Sequence, residues 1–105
     1  MSMDALDRLA AIIKERRNAS AEDSYTKQLL AEPIKPAKKV GEEGVEVALA
    51  AVAQDRAALI SETADLLYHL LVLLESREVT LDEVREELER RMGEAEEKRR
   101  KAAPV

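Results

Sequence analysis

The chain contains no cysteine, phenylalanine or tryptophan, only two tyrosines and one histidine, and just three glycines and three prolines. Without cysteine there is no disulfide framework, no thiolate-bound zinc and no thiol nucleophile. A lone histidine leaves little material for a histidine-rich metal site. With aromatics at 2%, the core has to be built from Leu, Ile, Val, Ala and Met. Strand signals are missing as well: there is no sustained alternation and no Asn-Gly or Asp-Gly hairpin turn. No internal repeat is visible. The N-terminus has neither a basic region nor an apolar segment, so no secretory signal is expected. The longest apolar stretch, around Leu66 to Leu74, is interrupted by Tyr68 and His69. It falls short of the ~20 residues of a membrane span. The expectation is a cytoplasmic protein with no membrane partner.

What is present is charge and helix-forming residues. Of the 105 residues, 46% are hydrophobic and 37% charged, well above the roughly 25% charged residues of an average domain. The balance of 17 basic against 22 acidic residues gives a net charge of −5, which argues against a nucleic-acid partner. This composition fits an all-α fold. One helical domain is expected over residues 1–97, followed by a charged tail, 98–105, that frays.

Five helices can be placed. The first starts after Asp4 as N-cap, with Leu6, Leu9, Ala10 and Ile13 on one face, and closes at Arg16-Arg17-Asn18. A short second helix follows Ser24 as its cap. Pro33 and Pro36 break the chain, and the third helix is expected to open at Pro36 and run to about Gln54. Its apolar stripe is read as Val40, Gly44, Val47, Ala48 and Ala51. Asp55 caps a fourth helix, Arg56 to about Ser76, whose second half is apolar nearly all round. Such a helix has to be buried on all sides, and so short a chain has few elements to surround it, so an oligomer is expected. Thr80 and Glu83 form a capping box for a fifth helix reaching to about Glu97, with Leu81, Val84, Leu88 and Met92 on one side. From Glu86 to Lys101 twelve of sixteen residues are charged, six acidic and six basic, as on an exposed helix with i, i+4 pairs.

The third helix carries Lys39, Glu42, Glu43 and Glu46 at offsets 0, 3, 4 and 7, a stripe read as opposite the apolar one. Lys38 precedes Glu42 by four residues. The fourth helix carries Glu62 and Asp65, three apart, with His69 four further on. A hairpin at Asp55 brings the levels of Glu46 and Glu62 close, so four carboxylates can converge. Four negative charges in one place require a cation or bound protons. An all-oxygen ligand set selects a hard divalent ion, Mg²⁺ first and Mn²⁺ second, which points to phosphate or pyrophosphate chemistry. The plainer reading is a pair of solvated acidic faces. Against it, Glu43 and Glu46 sit among Gly, Val and Ala, and Glu62 and Asp65 lead into the most apolar helix. Gly41 and Gly44 lie mid-helix, where close packing against another helix is the better explanation and close approach of a ligand the other. His69 on the Glu62–Asp65 stripe is either a satisfied buried histidine or a group touching substrate.

The segments Ser24-Tyr25-Thr26, Lys38-Lys39-Val40-Gly41-Glu42-Glu43-Gly44-Val45-Glu46 and Glu62-Thr63-Ala64-Asp65-Leu66-Leu67-Tyr68-His69-Leu70-Leu71-Val72 resemble the phosphoribosyl-ATP pyrophosphatase family of the MazG-like all-α superfamily. The resemblance covers about residues 5–92. It implies a helical bundle completed by homodimerisation. It also implies Mg²⁺-dependent hydrolysis of phosphoribosyl-ATP to phosphoribosyl-AMP and pyrophosphate, a step of histidine biosynthesis. Glu43, Glu46, Glu62 and Asp65 fall on the family's metal-binding positions. Glu42 matches a further acidic position that binds a second ion or orients the attacking water. Lys38 and Lys39 would meet the phosphates, although helical geometry turns them apart and favours Lys39. Ser24, Thr26 and His69 would reach the substrate. The Glu32-Pro33-Ile34-Lys35-Pro36 loop departs from the family pattern. With no cysteine for a fused zinc cyclohydrolase, a monofunctional enzyme is expected. Two alternatives remain: a MazG-like enzyme for other nucleoside triphosphates, and a non-catalytic helical dimerisation module. A ferritin-like di-iron bundle is set aside for lack of Glu-x-x-His motifs.

Overall fold

The structure, a computed structural model, describes residues 3–22 and 24–102. They form five α-helices: α1 Ala5–Glu15, α2 Tyr25–Ala31, α3 Ile34–Ala53, α4 Arg56–Ser76 and α5 Leu81–Ala102, with a single 3₁₀ turn, Arg16–Asn18, after α1. No strand occurs among the described residues.

The expected caps are in place, and each satisfies amide donors that a helix start leaves free. Asp4 accepts from the Asp7 amide at 2.9 Å while Asp7 reaches back to the Asp4 amide, a reciprocal box. Ser24 Oγ accepts from the Lys27 amide at 3.2 Å, and Asp55 accepts from the Ala58 amide at 2.9 Å. Thr80 and Glu83 close the second reciprocal box, at 3.1 and 3.0 Å.

Two helix ends differ from expectation. Helix α3 opens at Ile34 rather than Pro36, because both prolines are accommodated at its start, where amide donors have no intrahelical acceptor. The Lys35 amide donates to the Glu32 carbonyl at 2.9 Å and fixes that first turn. Helix α5 runs past Glu97 to Ala102. Its last turns carry the pairs Glu96–Arg99 and Glu97–Arg100, with basic residues at the end that the helix dipole favours.

The end of α4 is a Schellman turn. Val79 N–H bonds the Leu74 carbonyl at 2.9 Å and Glu78 N–H bonds the Glu75 carbonyl at 3.0 Å. The left-handed position, with φ 57°, is occupied by Glu78, where glycine is the usual residue.

Ile13 of α1, Leu29 of α2 and Leu71 and Val72 of α4 form the core, flanked by Leu6, Leu9, Leu30, Tyr68, Leu74 and Leu81. Helices α3 and α4 pack as an antiparallel hairpin, with Pro36, Glu43 and Ala50 of α3 buried seven residues apart. The face of α3 is only partly the one expected: Val40, Gly44 and Val47 are half-buried on it. Glu43 lies in the middle of the buried side, and Ala48 and Ala51, read as core, are exposed. Ile34, Val45, Leu49 and Val52 also look outward, Val52 being 83% exposed. Neither Gly41 nor Gly44 is explained by packing within the chain, since a Cβ at either would meet nothing within 4 Å.

Helix α5 leaves the body after Leu81. Arg85 ties its first turns to α1 through Asp7 at 2.6 Å; Leu88 and Met92, expected on a packed side, are exposed. The protomer is accordingly extended. It exposes 7974 Å², against roughly 5,900 Å² for a globular monomer of its mass. Helix α4, taken whole, is long and apolar enough to cross a membrane by length and composition, which corrects the shorter estimate made from its uninterrupted apolar stretch. Only 17% of its most apolar window is buried inside the protomer. The central helix of a bundle meets the same criterion.

Candidate metal and phosphate site

The α3–α4 hairpin brings acidic groups from both helices together. Glu43, Glu62 and Asp65 each place a carboxylate oxygen within 4.8 Å of the others. Glu43 is buried at 9% exposure, Glu62 is half-buried, and Asp65 opens to solvent. Glu43 Oε2 and Glu62 Oε2 are buried with no hydrogen-bond partner. A buried carboxylate oxygen without a donor is costly.

The protonation preferences reflect this crowding. Burial pushes the Glu43 carboxyl above the ordinary carboxylate range, and the neighbouring charges of Glu46 and Asp65 push it further. Glu62 is raised first by its contact with Glu46, then by burial and by the charges of Glu46, Asp65 and Glu43. Although it lies outside the three carboxylates that meet within 4.8 Å, Glu46 is the neighbouring charge common to Glu43 and Glu62. It can bond to them only through a shared proton; when all are ionised, no donor is available. The orphaned oxygens and the all-carboxylate donor set fit a hard divalent cation.

A cleft of about 370 Å³ lies between α2 and the first half of α3. Lys35, Lys38, Lys39 and Glu42 line one wall, and Tyr25 and Gln28 the other. Both expected lysines face it, not Lys39 alone. Glu42 belongs to this wall, outside the tight carboxylate group. Lys35, Tyr25 and Gln28 were missed from sequence. Positions 35, 38, 39 and 42 follow the spacing of one helical face, but Lys35 joins it only if the helix begins before Pro36.

The remaining candidates make contacts within the protein. Ser24 is buried and caps α2. Thr26 Oγ1 lies 2.5 Å from Tyr68 Oη. His69 is buried, with Nδ1 2.9 Å from the Asp65 carbonyl and Nε2 3.3 Å from Tyr25 Oη. It therefore bridges the turn carrying Asp65 and the wall of the cleft.

The chain is similar to known proteins over most of its length. The profile of the family described as Phosphoribosyl-ATP pyrophosphohydrolase matches residues 6–92. A protein of Rhodobacter capsulatus named phosphoribosyl-ATP pyrophosphatase is 54% identical over 92 residues, covering 87% of this chain and 89% of the relative. One of Paracoccus denitrificans with the same name is 56% identical over 89 residues, covering 84% and 82%. Another, from Caulobacter sp. strain K31, is 51% identical over 90 residues, covering 86% and 84%.

Proposed function

Because the chain belongs to the phosphoribosyl-ATP pyrophosphohydrolase family, we propose that it hydrolyses phosphoribosyl-ATP to phosphoribosyl-AMP and pyrophosphate in histidine biosynthesis, in the cytoplasm, with Mg²⁺ as cofactor. The observation that carries the site assignment is the convergence of Glu43, Glu62 and Asp65 with two orphaned buried oxygens, next to a lysine-lined cleft.

In this reading Glu43, Glu46, Glu62 and Asp65 hold the cation. Mn²⁺, also an oxygen-preferring ion, would be accepted in its place. When bound, the ion neutralises charge on the phosphoanhydride and lowers the pKa of a water. Lys38 and Lys39 bind phosphate oxygens as compact, mobile positive charges. Glu42 and Glu46, both open to solvent, are the available acceptors for the proton of the attacking water. Water adds to phosphorus, the α–β anhydride breaks, and pyrophosphate leaves. Ser24 fixes the start of α2, Thr26 holds Tyr68, and His69 holds Tyr25 on the cleft wall.

The working unit is a homodimer. The outward apolar residues of α3, Ile34, Val45 and Val52, together with the under-covered α4, need a second surface. The area each chain exposes beyond that of a globular monomer, about 2,000 Å², would total about 4,000 Å² in a dimer, within the range of obligate homodimers.

The test is pyrophosphate release from phosphoribosyl-ATP by the purified chain, with and without EDTA. The reading expects turnover that EDTA abolishes and Mg²⁺ restores. ATP and dUTP should be poor substrates. Equal turnover of ordinary triphosphates would favour a broader nucleotide-clearing enzyme, and no metal-dependent turnover would leave a helical dimerisation module.

A further inference from the structure

We propose that Lys35 is a specificity-determining residue: with the outer end of the α2–α3 cleft it forms a second anion subsite, for the phosphomonoester on the substrate's second ribose. The proposal rests on the assigned substrate, which has two anionic ends, a triphosphate and a ribose phosphate. Both need a cation, and they are separated by a purine and two sugars.

Three lysines face one cleft at different distances from the carboxylate group. Along the helix axis Lys39 lies about 6 Å from Glu43, and Lys35 about 12 Å, at 1.5 Å per residue. Lys39 is therefore within reach of phosphates gripped beside Glu43. Lys35 sits one turn beyond Lys39 and about two turns from Glu43, the lysine of the row placed furthest toward a distant phosphate. The cleft, at about 370 Å³, has room for a sugar phosphate.

The polar groups of the opposite wall have partners. Gln28 Nε2 donates to the Ala21 carbonyl at 2.7 Å, and Tyr25 Oη is engaged with His69. Lys35 pairs with Glu32 at 3.5 Å, both side chains more than half exposed, at 52% and 60%. A surface pair of that kind contributes little. It is readily exchanged for a phosphomonoester carrying about −1.5 to −2 charge. ATP lacks that group, so contact with Lys35 favours phosphoribosyl-ATP over ATP.

The experiment compares wild type, Lys35→Met and Lys35→Arg with phosphoribosyl-ATP and with ATP, using ribose 5-phosphate and inorganic pyrophosphate as inhibitors. For Lys35→Met, the KM for phosphoribosyl-ATP should rise at least about tenfold with kcat within about twofold. Inhibition by ribose 5-phosphate should weaken in parallel, while inhibition by pyrophosphate and any turnover of ATP stay unchanged. Lys35→Arg should recover most of the loss. Matching helical content and melting of the variants exclude a folding defect. An unaltered KM and unaltered ribose 5-phosphate inhibition in Lys35→Met, beside a wild type that prefers phosphoribosyl-ATP, overturns this proposal alone. A wild type that hydrolyses ATP equally well overturns the substrate assignment and this proposal with it.

Discussion

Tyr25 and His69 meet edge to face, with ring centroids 6.2 Å apart and Tyr25 Oη 3.3 Å from His69 Nε2. The other ring nitrogen faces the Asp65 carbonyl at 2.9 Å. A carbonyl only accepts, so Nδ1 carries the proton, and in the neutral ring Nε2 accepts from the tyrosine hydroxyl. Nitrogen-15 shifts of the single histidine should report the Nδ1–H tautomer at neutral pH; a proton on Nε2 in the neutral ring would sink this arrangement. Tyr25→Phe should lower stability by about 1 kcal/mol, read as a shift in urea midpoint at unchanged slope.

The acidic group sets the pH dependence of the metal-free protein. Glu43 and Glu62 are raised above their ordinary value of 4.5 on folding, so the folded state binds those protons more tightly. Their contribution is fully present below that value and is lost as pH rises through the folded values. Asp7 works in the opposite sense. Its hydrogen bond to Arg85 lowers its pKa, and its contribution is lost as pH falls through the lowered folded value. In EDTA the melting temperature should therefore fall as pH rises above about 4.5 and through the raised folded values. Mg²⁺ should reverse that fall at the upper end and do little at the lower.

Glu43→Gln separates stability from activity. Removing the most buried acid should raise the melting temperature in EDTA and flatten its pH profile. Turnover should drop more than about 100-fold, since on the proposed reading the substitution removes a direct metal ligand and even supporting residues cost about 10–100-fold. A variant that retains both turnover and Mg²⁺-induced stabilisation would remove Glu43 from the site.

Glu78 holds a left-handed conformation, with φ 57°, at the end of α4. Glu78→Gly should raise unfolding free energy by about 1 kcal/mol, because relief of the Cβ clash outweighs the greater freedom of the unfolded chain. Chemical denaturation measures it, and a destabilised variant would contradict the geometry. Catalysis should be unchanged.

Val52, 83% exposed on the outer side of α3, reports on association. Wild type should sediment at twice the 11.7 kDa chain mass, and Val52→Glu should shift the species toward monomer with a lower melting temperature. Equal sedimentation of both would place the contact elsewhere.

Much of this was legible in the residues. Asp4, Ser24, Asp55 and Thr80 mark helix starts because each side chain offers an oxygen to a free amide. The Glu43–Glu46 and Glu62–Asp65 spacings, with a short turn between the helices, predict convergence from rise per residue alone. Less legible was which side of α3 is buried. That helix is apolar on its outward side too, and Glu43 lies inward against the ordinary preference of charge for water. Lys35 was hidden by Pro36, which reads as a first-turn residue but occupies the third position. The Glu78 turn carried no glycine to announce it.

Only His69, Leu71 and Val72 of helix α4 are fully buried inside one chain; in the proposed homodimer, completing the fold and meeting a partner become one thermodynamic event. Dilution then acts as a denaturant. A cell making few copies would hold more of them as half-formed chains, open to proteases, and output from such a gene would rise faster than in proportion to its expression.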